Sequence, residues 1–100
     1  MNAWATPLWN LALRAVAVLK KIIVTDRAKD EIRAIDQANA LRILHAIAHL
    51  AATGEGDVKR LQEIEPPEFR LRIGDYRVRF HDSSDAVEIT GVKHRREAYR

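Results

Sequence analysis

Four arginines between Phe69 and Phe80 have a spacing that could do chemistry. In Phe69-Arg70-Leu71-Arg72-Ile73 and Tyr76-Arg77-Val78-Arg79-Phe80 they alternate strictly with apolar residues. A period of two sends the arginines to one face of a strand and the rest to the other. Only Gly74-Asp75 separates the runs, and glycine at the first loop position suits a two-residue type II′ hairpin turn. That turn sets Arg72 opposite Arg77 and Arg70 opposite Arg79. It also sets Ile73 opposite Tyr76, Leu71 opposite Val78 and Phe69 opposite Phe80. Directly opposed like charges destabilise a sheet by roughly 0.2–1 kcal/mol per pair. A chain that keeps two such pairs has a polyanion to place there, and the guanidinium fork matches phosphate oxygens bidentately.

The charge of the whole chain points the same way. Residues 1–68 carry nine Lys/Arg against nine Asp/Glu, whereas residues 69–100 carry eight against five, so the net charge of +3 lies in the last third. Seven of those eight cations are arginines. A membrane surface would instead call for lysines beside an apolar helical face. The chain has no cysteine, which excludes disulfides, thiolate catalysis and zinc–thiolate sites and is compatible with the cytoplasm. His45 and His49 stand four apart, a spacing able to hold a metal, but no HExxH glutamate lies between them. A helix-surface pair is the expectation, with no metal and no cofactor.

One hundred residues, 47% hydrophobic and 31% charged, suit one globular domain. Residues 1–18 read as an N-terminal extension. Leu8, Leu11, Ala12, Ala15 and Leu19 recur at helical spacing, and the run is too short in apolar residues to cross a membrane. A signal peptide is disfavoured because no charge precedes the apolar run and Arg14 interrupts it. Val18 to Thr25 reads as a strand. Thr25 or Asp26 caps a helix with Ala28, Ile32 and Ile35 inward, and Asp36 breaks it. A second helix spans about Ala38 to Ala52, with Leu41, Leu44, Ile47, Ala48 and Ala51 inward, and Gly54 ends it. Val58, Leu61 and Ile64 lie on a connecting segment, Pro66-Pro67 delivers the chain to the hairpin, His81–Asp85 turns, and Ala86–Val92 makes a last strand. The expected fold is α+β, in the order β-α-α-β-β-β, with two N-terminal helices on a small antiparallel sheet.

The combination of FRLR, GDYR and the closing HRREAYR resembles the RelE branch of the RelE/ParE toxin superfamily, over roughly Leu19 to Arg100. The resemblance implies a RelE-like fold over residues 19–100 and a toxin of a type II toxin–antitoxin module. The protein would be a metal-independent endoribonuclease acting in the A site of the 70S ribosome, where an mRNA 2′-hydroxyl attacks the adjacent phosphate. Such cleavage needs a base, stabilisation of the charged phosphorane and a proton for the leaving 5′-oxygen. Carried over by position, Arg72 and Arg77 hold the phosphate, Arg95 stabilises the leaving group, and Tyr99 orients or deprotonates the 2′-hydroxyl or stacks on a base. His94 is a second candidate acid or base. Arg70, Arg79 and Arg96 are expected to bind RNA backbone. Relatives often carry lysine where Arg70 and Arg72 stand, and glycine where Lys93 stands. The implied partners are a cognate antitoxin, in a hetero-oligomer, together with ribosome and mRNA in the cytoplasm. Two alternatives stand beside this reading: a ParE-like toxin of the same fold that poisons DNA gyrase by protein contact, and a non-catalytic RNA-binding module.

Overall fold

The computed structural model of the chain describes residues 20–61 and 65–98. Its elements are β1 (Lys21–Val24), α1 (Asp26–Arg33), α2 (Gln37–Thr53), β2 (Val58–Leu61), β3 (Glu68–Ile73), β4 (Tyr76–Asp82), β5 (Ala86–His94) and α3 (Arg95–Ala98). The strands form one sheet in the order β1-β5-β4-β3-β2. β1 runs parallel to β5, and the other neighbours are antiparallel. The α+β class is as expected, with one strand more. Val58–Leu61 is no mere connection but pairs with β3, Val58 opposite Leu71 and Leu61 opposite Glu68. VKRL has no alternation to betray a strand, yet it fills the hydrogen-bonding edge that β3 would otherwise leave open. β4 also runs two residues past Phe80, and the turn closes at Ser83, whose N–H and hydroxyl both donate to the Ala86 carbonyl. Residues 1–19, Ile64 and Tyr99 lie outside the described residues.

Local signals place both helices. The Thr25 hydroxyl accepts the Ala28 N–H at 3.3 Å and donates to the Ile89 carbonyl at 3.0 Å, so one side chain caps α1 and ties it to β5. Ala28 is fully buried, and a side chain that small lets α1 approach the strand closely. Asp36 caps α2 through Asn39, and Gly54 ends it at φ 75°, its N–H on the Leu50 carbonyl at 2.8 Å. The inward face of α2 is Ile43, Ile47, Leu50 and Ala51, while Leu41 and Leu44 are 48% and 41% exposed. The expectation that Leu41, Leu44 and Ala48 point inward is therefore corrected, and Ala48 too is exposed. QANALRILHAIAHLAAT carries two overlapping apolar stripes, and periodicity cannot choose between them. The helix buries the one with both isoleucines.

From the sheet, Leu71, Val78, Phe80, Val87, Ile89 and Val92 complete the core. Phe80 is 2% exposed, with the Phe69 ring stacked on it at 5.6 Å. Burying a side chain of this kind contributes about 1.5–3 kcal/mol. The hairpin register is as expected from Ile73↔Tyr76 to Phe69↔Phe80, and Gly74 takes φ 56° in the turn.

Between β4 and β5 the register slips: Arg79 faces Gly91, but Phe80 faces Ile89. Thr90 is the extra residue of a β-bulge, and its hydroxyl donates to the Arg79 carbonyl at 3.3 Å. One extra residue reverses which side chains face the core. Val87 and Ile89 point inward before the bulge and Val92 after it, so Lys93 emerges on the opposite face with the arginines.

Two predictions follow from this architecture. Inserting one alanine between Gly91 and Val92 shifts the alternation by one, turning Lys93 toward the core and Val92 to solvent. That variant should lose its cooperative thermal transition by circular dichroism, whereas Thr90→Ala, which removes one hydrogen bond, should cost only about 0.5–1.5 kcal/mol. The second concerns pH. The Asn39 side-chain amide at 2.9 Å and its backbone N–H at 3.1 Å hold the Asp36 carboxyl below its ordinary value of 3.8. Stability from a depressed carboxyl is present above the unfolded value and lost as pH falls through the folded one. Asp36→Asn keeps a capping side chain without the charge. Its deficit against wild type in urea titrations should therefore shrink as the pH drops below that of an ordinary carboxyl, and a pH-independent deficit would contradict the role assigned to the charge.

Candidate functional site

Pairing across β3, β4 and β5 arranges the face opposite the helices in rows. The first is Arg72, Arg77 and Lys93; the second is Arg70, Arg79 and Gly91. Beyond them His81 stands opposite Glu88, with Glu68 at the start of β3. The face therefore grades from three cations, through two and a gap, to a mixed row. The sequence yields both arginine pairs; it does not yield Lys93, which the bulge brings in as the third member. A shift of apolar parity from Val87 and Ile89 to Val92, with Gly91 between, is the signal that marks it.

Like charges side by side need acceptors, and among the described residues Arg77 and Lys93 have them. Arg77 is 7% exposed, and its Nη1 donates to the carbonyls of Gly74 at 3.0 Å and Tyr76 at 3.1 Å. Its Nε is buried with no hydrogen-bond partner among the described residues. The Lys93 ammonium lies 2.5 Å from the Glu31 carboxylate of α1. Arg72 and Arg79 are exposed, and Arg70 is half-buried. A cleft of about 430 Å³ opens above Gly91, lined by Arg79, His81, Lys93 and Glu68 of the sheet, by Arg27 of α1 and by Glu97 of α3. Gly91 leaves its floor bare.

The C-terminal residues divide. The Arg95 N–H donates to the Asp75 carbonyl at 2.6 Å, and its Nε lies 3.7 Å from the Asp75 carboxylate, so the hairpin turn docks the start of α3. Arg95 and Arg96 are both exposed. His94, expected with the catalytic arginines, stands on the helix side of the sheet. It pairs with Tyr76, and their rings meet edge-on at 5.4 Å. Its Nδ1 accepts the Arg96 N–H at 3.2 Å, which leaves the ring proton of the neutral form on Nε2. The parity switch that brings Lys93 to the arginine face sends His94 to the other. Tyr99 lies outside the described residues.

The site thus has the means to bind and polarise a phosphodiester: adjacent guanidinium and ammonium groups on a rigid sheet. His45 and His49 are exposed on α2, with His49 Nε2 3.4 Å from Glu55. Among the described residues no cluster of three His, Cys, Asp or Glu could hold a metal, and no helix is long and apolar enough to cross a membrane.

Three solved complexes contain chains of the same fold. A chain of the archaeal RelE–RelB complex from Pyrococcus horikoshii OT3 aligns with a TM-score of 0.67 at 20% identity, covering 79% of this chain and 98% of that one. A chain of the RelB–RelE antitoxin–toxin complex from Methanococcus jannaschii aligns with a TM-score of 0.65 at 17% identity, over 77% and 94%. A chain of the RelBE2 toxin–antitoxin complex from Mycobacterium tuberculosis gives 0.67 at 20%, over 77% and 92%. No curated protein matches the sequence significantly. Residues 22–99 match the family described as the ParE toxin of the type II toxin–antitoxin system parDE. With that match running from the second residue of β1 through all three helices, the other strands and the cationic rows, the chain belongs to the ParE toxin family, within the RelE/ParE superfamily of type II toxins.

Proposed function

We propose that this toxin is an endoribonuclease of the RelE kind, cutting mRNA in the ribosomal A site, and that the row Arg72–Arg77–Lys93 receives the scissile phosphate. The observation that carries the proposal is that row itself. Three cations on neighbouring strands cost the free sheet stability, and a phosphodiester laid across them offsets that cost. Arg77 and Lys93 are already braced by the Gly74 and Tyr76 carbonyls and by Glu31, so little reorganisation accompanies charge development at the phosphorane.

In this reading Arg72 and Lys93 contact the non-bridging oxygens, and Arg77 adds charge from beneath. Arg95, anchored to Asp75 at the sheet end, faces the leaving 5′-oxygen. Tyr99 supplies the group that orients or deprotonates the 2′-hydroxyl. His94, behind the sheet, is assigned no step. Arg70, Arg79 and Arg96 carry flanking phosphates. The partners are the cytoplasmic ribosome with its mRNA and a cognate antitoxin, the latter in keeping with the toxin–antitoxin complexes among the structural neighbours.

A second reading has its own support. The family is described by its ParE members, and an arginine as buried as Arg77, bonded to backbone carbonyls, also suits a structural strut. A ParE-like toxin would poison gyrase by protein contact without cutting RNA. Expression without antitoxin decides between them. The ribonuclease reading expects growth arrest with cuts inside codons of ribosome-bound transcripts, whereas intact transcripts with accumulating gyrase–DNA cleavage complexes would establish the ParE-like one. On purified ribosomes, Arg72→Ala should lower the single-turnover cleavage rate about 100- to 1000-fold, the loss typical of one charge-stabilising donor. Arg79→Ala should leave that rate near wild type at saturation and flatten the salt dependence of binding by about one unit of slope.

A further inference from the structure

Beyond the end of β1, where that pairing stops at Val24↔Ile89, no strand among the described residues lies beside the outer edge of β5. Helix α1 covers the exposed edge with a side chain. The Glu31 Oε1 accepts the Val92 N–H at 3.1 Å, a hydrogen bond that a neighbouring strand would otherwise supply. Its Oε2 lies 2.5 Å from the Lys93 ammonium, and Arg27 Nε stands 3.8 Å from Oε1 on the helix surface. The Glu31 side chain is only 14% exposed, against 39% for Lys93. A β-carbon on Gly91 would sit 3.4 Å from Oε1, so the backbone there leaves just enough room for the carboxylate.

We infer that Glu31 is a positioning residue, which holds the Lys93 ammonium in the phosphate-binding row from the helical layer. The inference rests on the reading of that row as the phosphate site. Lysine carries a compact charge on four rotatable carbons and loses much freedom when ordered. A carboxylate itself pinned by the Val92 N–H fixes that side chain before substrate arrives, so the ordering cost does not fall on the transition state. Glu31 also lowers the positive potential of the row. The two effects have opposite consequences for binding and for rate, and this gives a signature that simple loss of packing lacks. The nearby charged groups are Arg27 on the same helix, Lys93 on β5 and Glu97 on α3, the last of which borders the same groove beside Tyr76 and His94.

Glu31→Gln retains an acceptor for the Val92 N–H and removes only the charge. On ribosomes it should bind as tightly as wild type or tighter, while its single-turnover rate falls about 10- to 100-fold, the penalty for a slightly misplaced group. In a Lys93→Met background the same substitution should produce no further rate loss, because both changes remove one interaction. Multiplicative losses, or a wild-type rate for Glu31→Gln, would overturn the assignment. A separate measurement holds whether or not the protein cuts RNA. The ¹⁵Nζ signal of Lys93 should show slow ammonium exchange in wild type and fast exchange in Glu31→Gln, with exposed Lys29 as the reference. If Lys93 already exchanges like Lys29 in the wild-type protein, Glu31 does not hold it. If the exchange difference appears but no transcript is cleaved, the tether stands and the ribonuclease reading falls.

Discussion

A single extra residue in β5 determines what the two faces of this sheet present. Without the bulge at Thr90, alternation from Val87 and Ile89 would carry position 93 into the core and position 92 to solvent. With it, Val92 joins Val78 and Phe80 inside, and Lys93 lines up beyond Arg77 and Arg72. The core, the third cation of the row and the placement of His94 behind the sheet all depend on this parity. Gly91 serves the same arrangement: lacking a side chain, it keeps the cleft floor open and admits the Glu31 carboxylate from the strand edge.

The rows concentrate positive charge where folding alone would not place it. Opposed like charges work against the sheet by roughly 0.2–1 kcal/mol per pair, and the buried Arg77 Nε, without a partner among the described residues, adds a desolvation cost of about 1–3 kcal/mol. The surrounding structure carries both. β4 lies at the centre of the sheet, with Val78 and Phe80 at no more than 2% exposure beneath Arg77 and Arg79. The same strand therefore holds the core with one face and presents charge with the other. Backbone carbonyls at the Gly74 turn moderate the repulsion at the middle of the row, and a carboxylate from α1 does so at its Lys93 end. One comes from the hairpin itself and the other from the helix packed on β5, so the site and the fold are stabilised by the same contacts.

Much of this was legible in the sequence because the signals were local. Strict alternation and Gly74-Asp75 gave the hairpin register, Thr25 gave the start of the first helix, Asp36 the break between the two, and Gly54 the stop. What escaped was set by tertiary context. β2 is four residues without alternation and becomes a strand because β3 offers it an edge. Leu41 and Leu44 sit on one of two apolar stripes, and only packing decides which is buried. Lys93 and His94 lie beyond the expected end of the last strand at Val92, yet β5 continues to His94 and sends the two to opposite faces. Glu31 carried no motif at all, since its role depends on where β1 ends.

The claim on which the rest turns is that nucleic acid lies across the arginine face, over the row Arg72–Arg77–Lys93. Amide chemical-shift mapping with a short single-stranded RNA tests it without requiring cleavage. The amides of Arg72, Arg77, Gly91 and Lys93 should shift together and saturate with one affinity, and the shifts should fade as salt rises. Those of Leu41 and Leu44 on the helical layer should stay in place. Shifts centred on Leu41 and Leu44, or none at any RNA concentration in low salt, would contradict it.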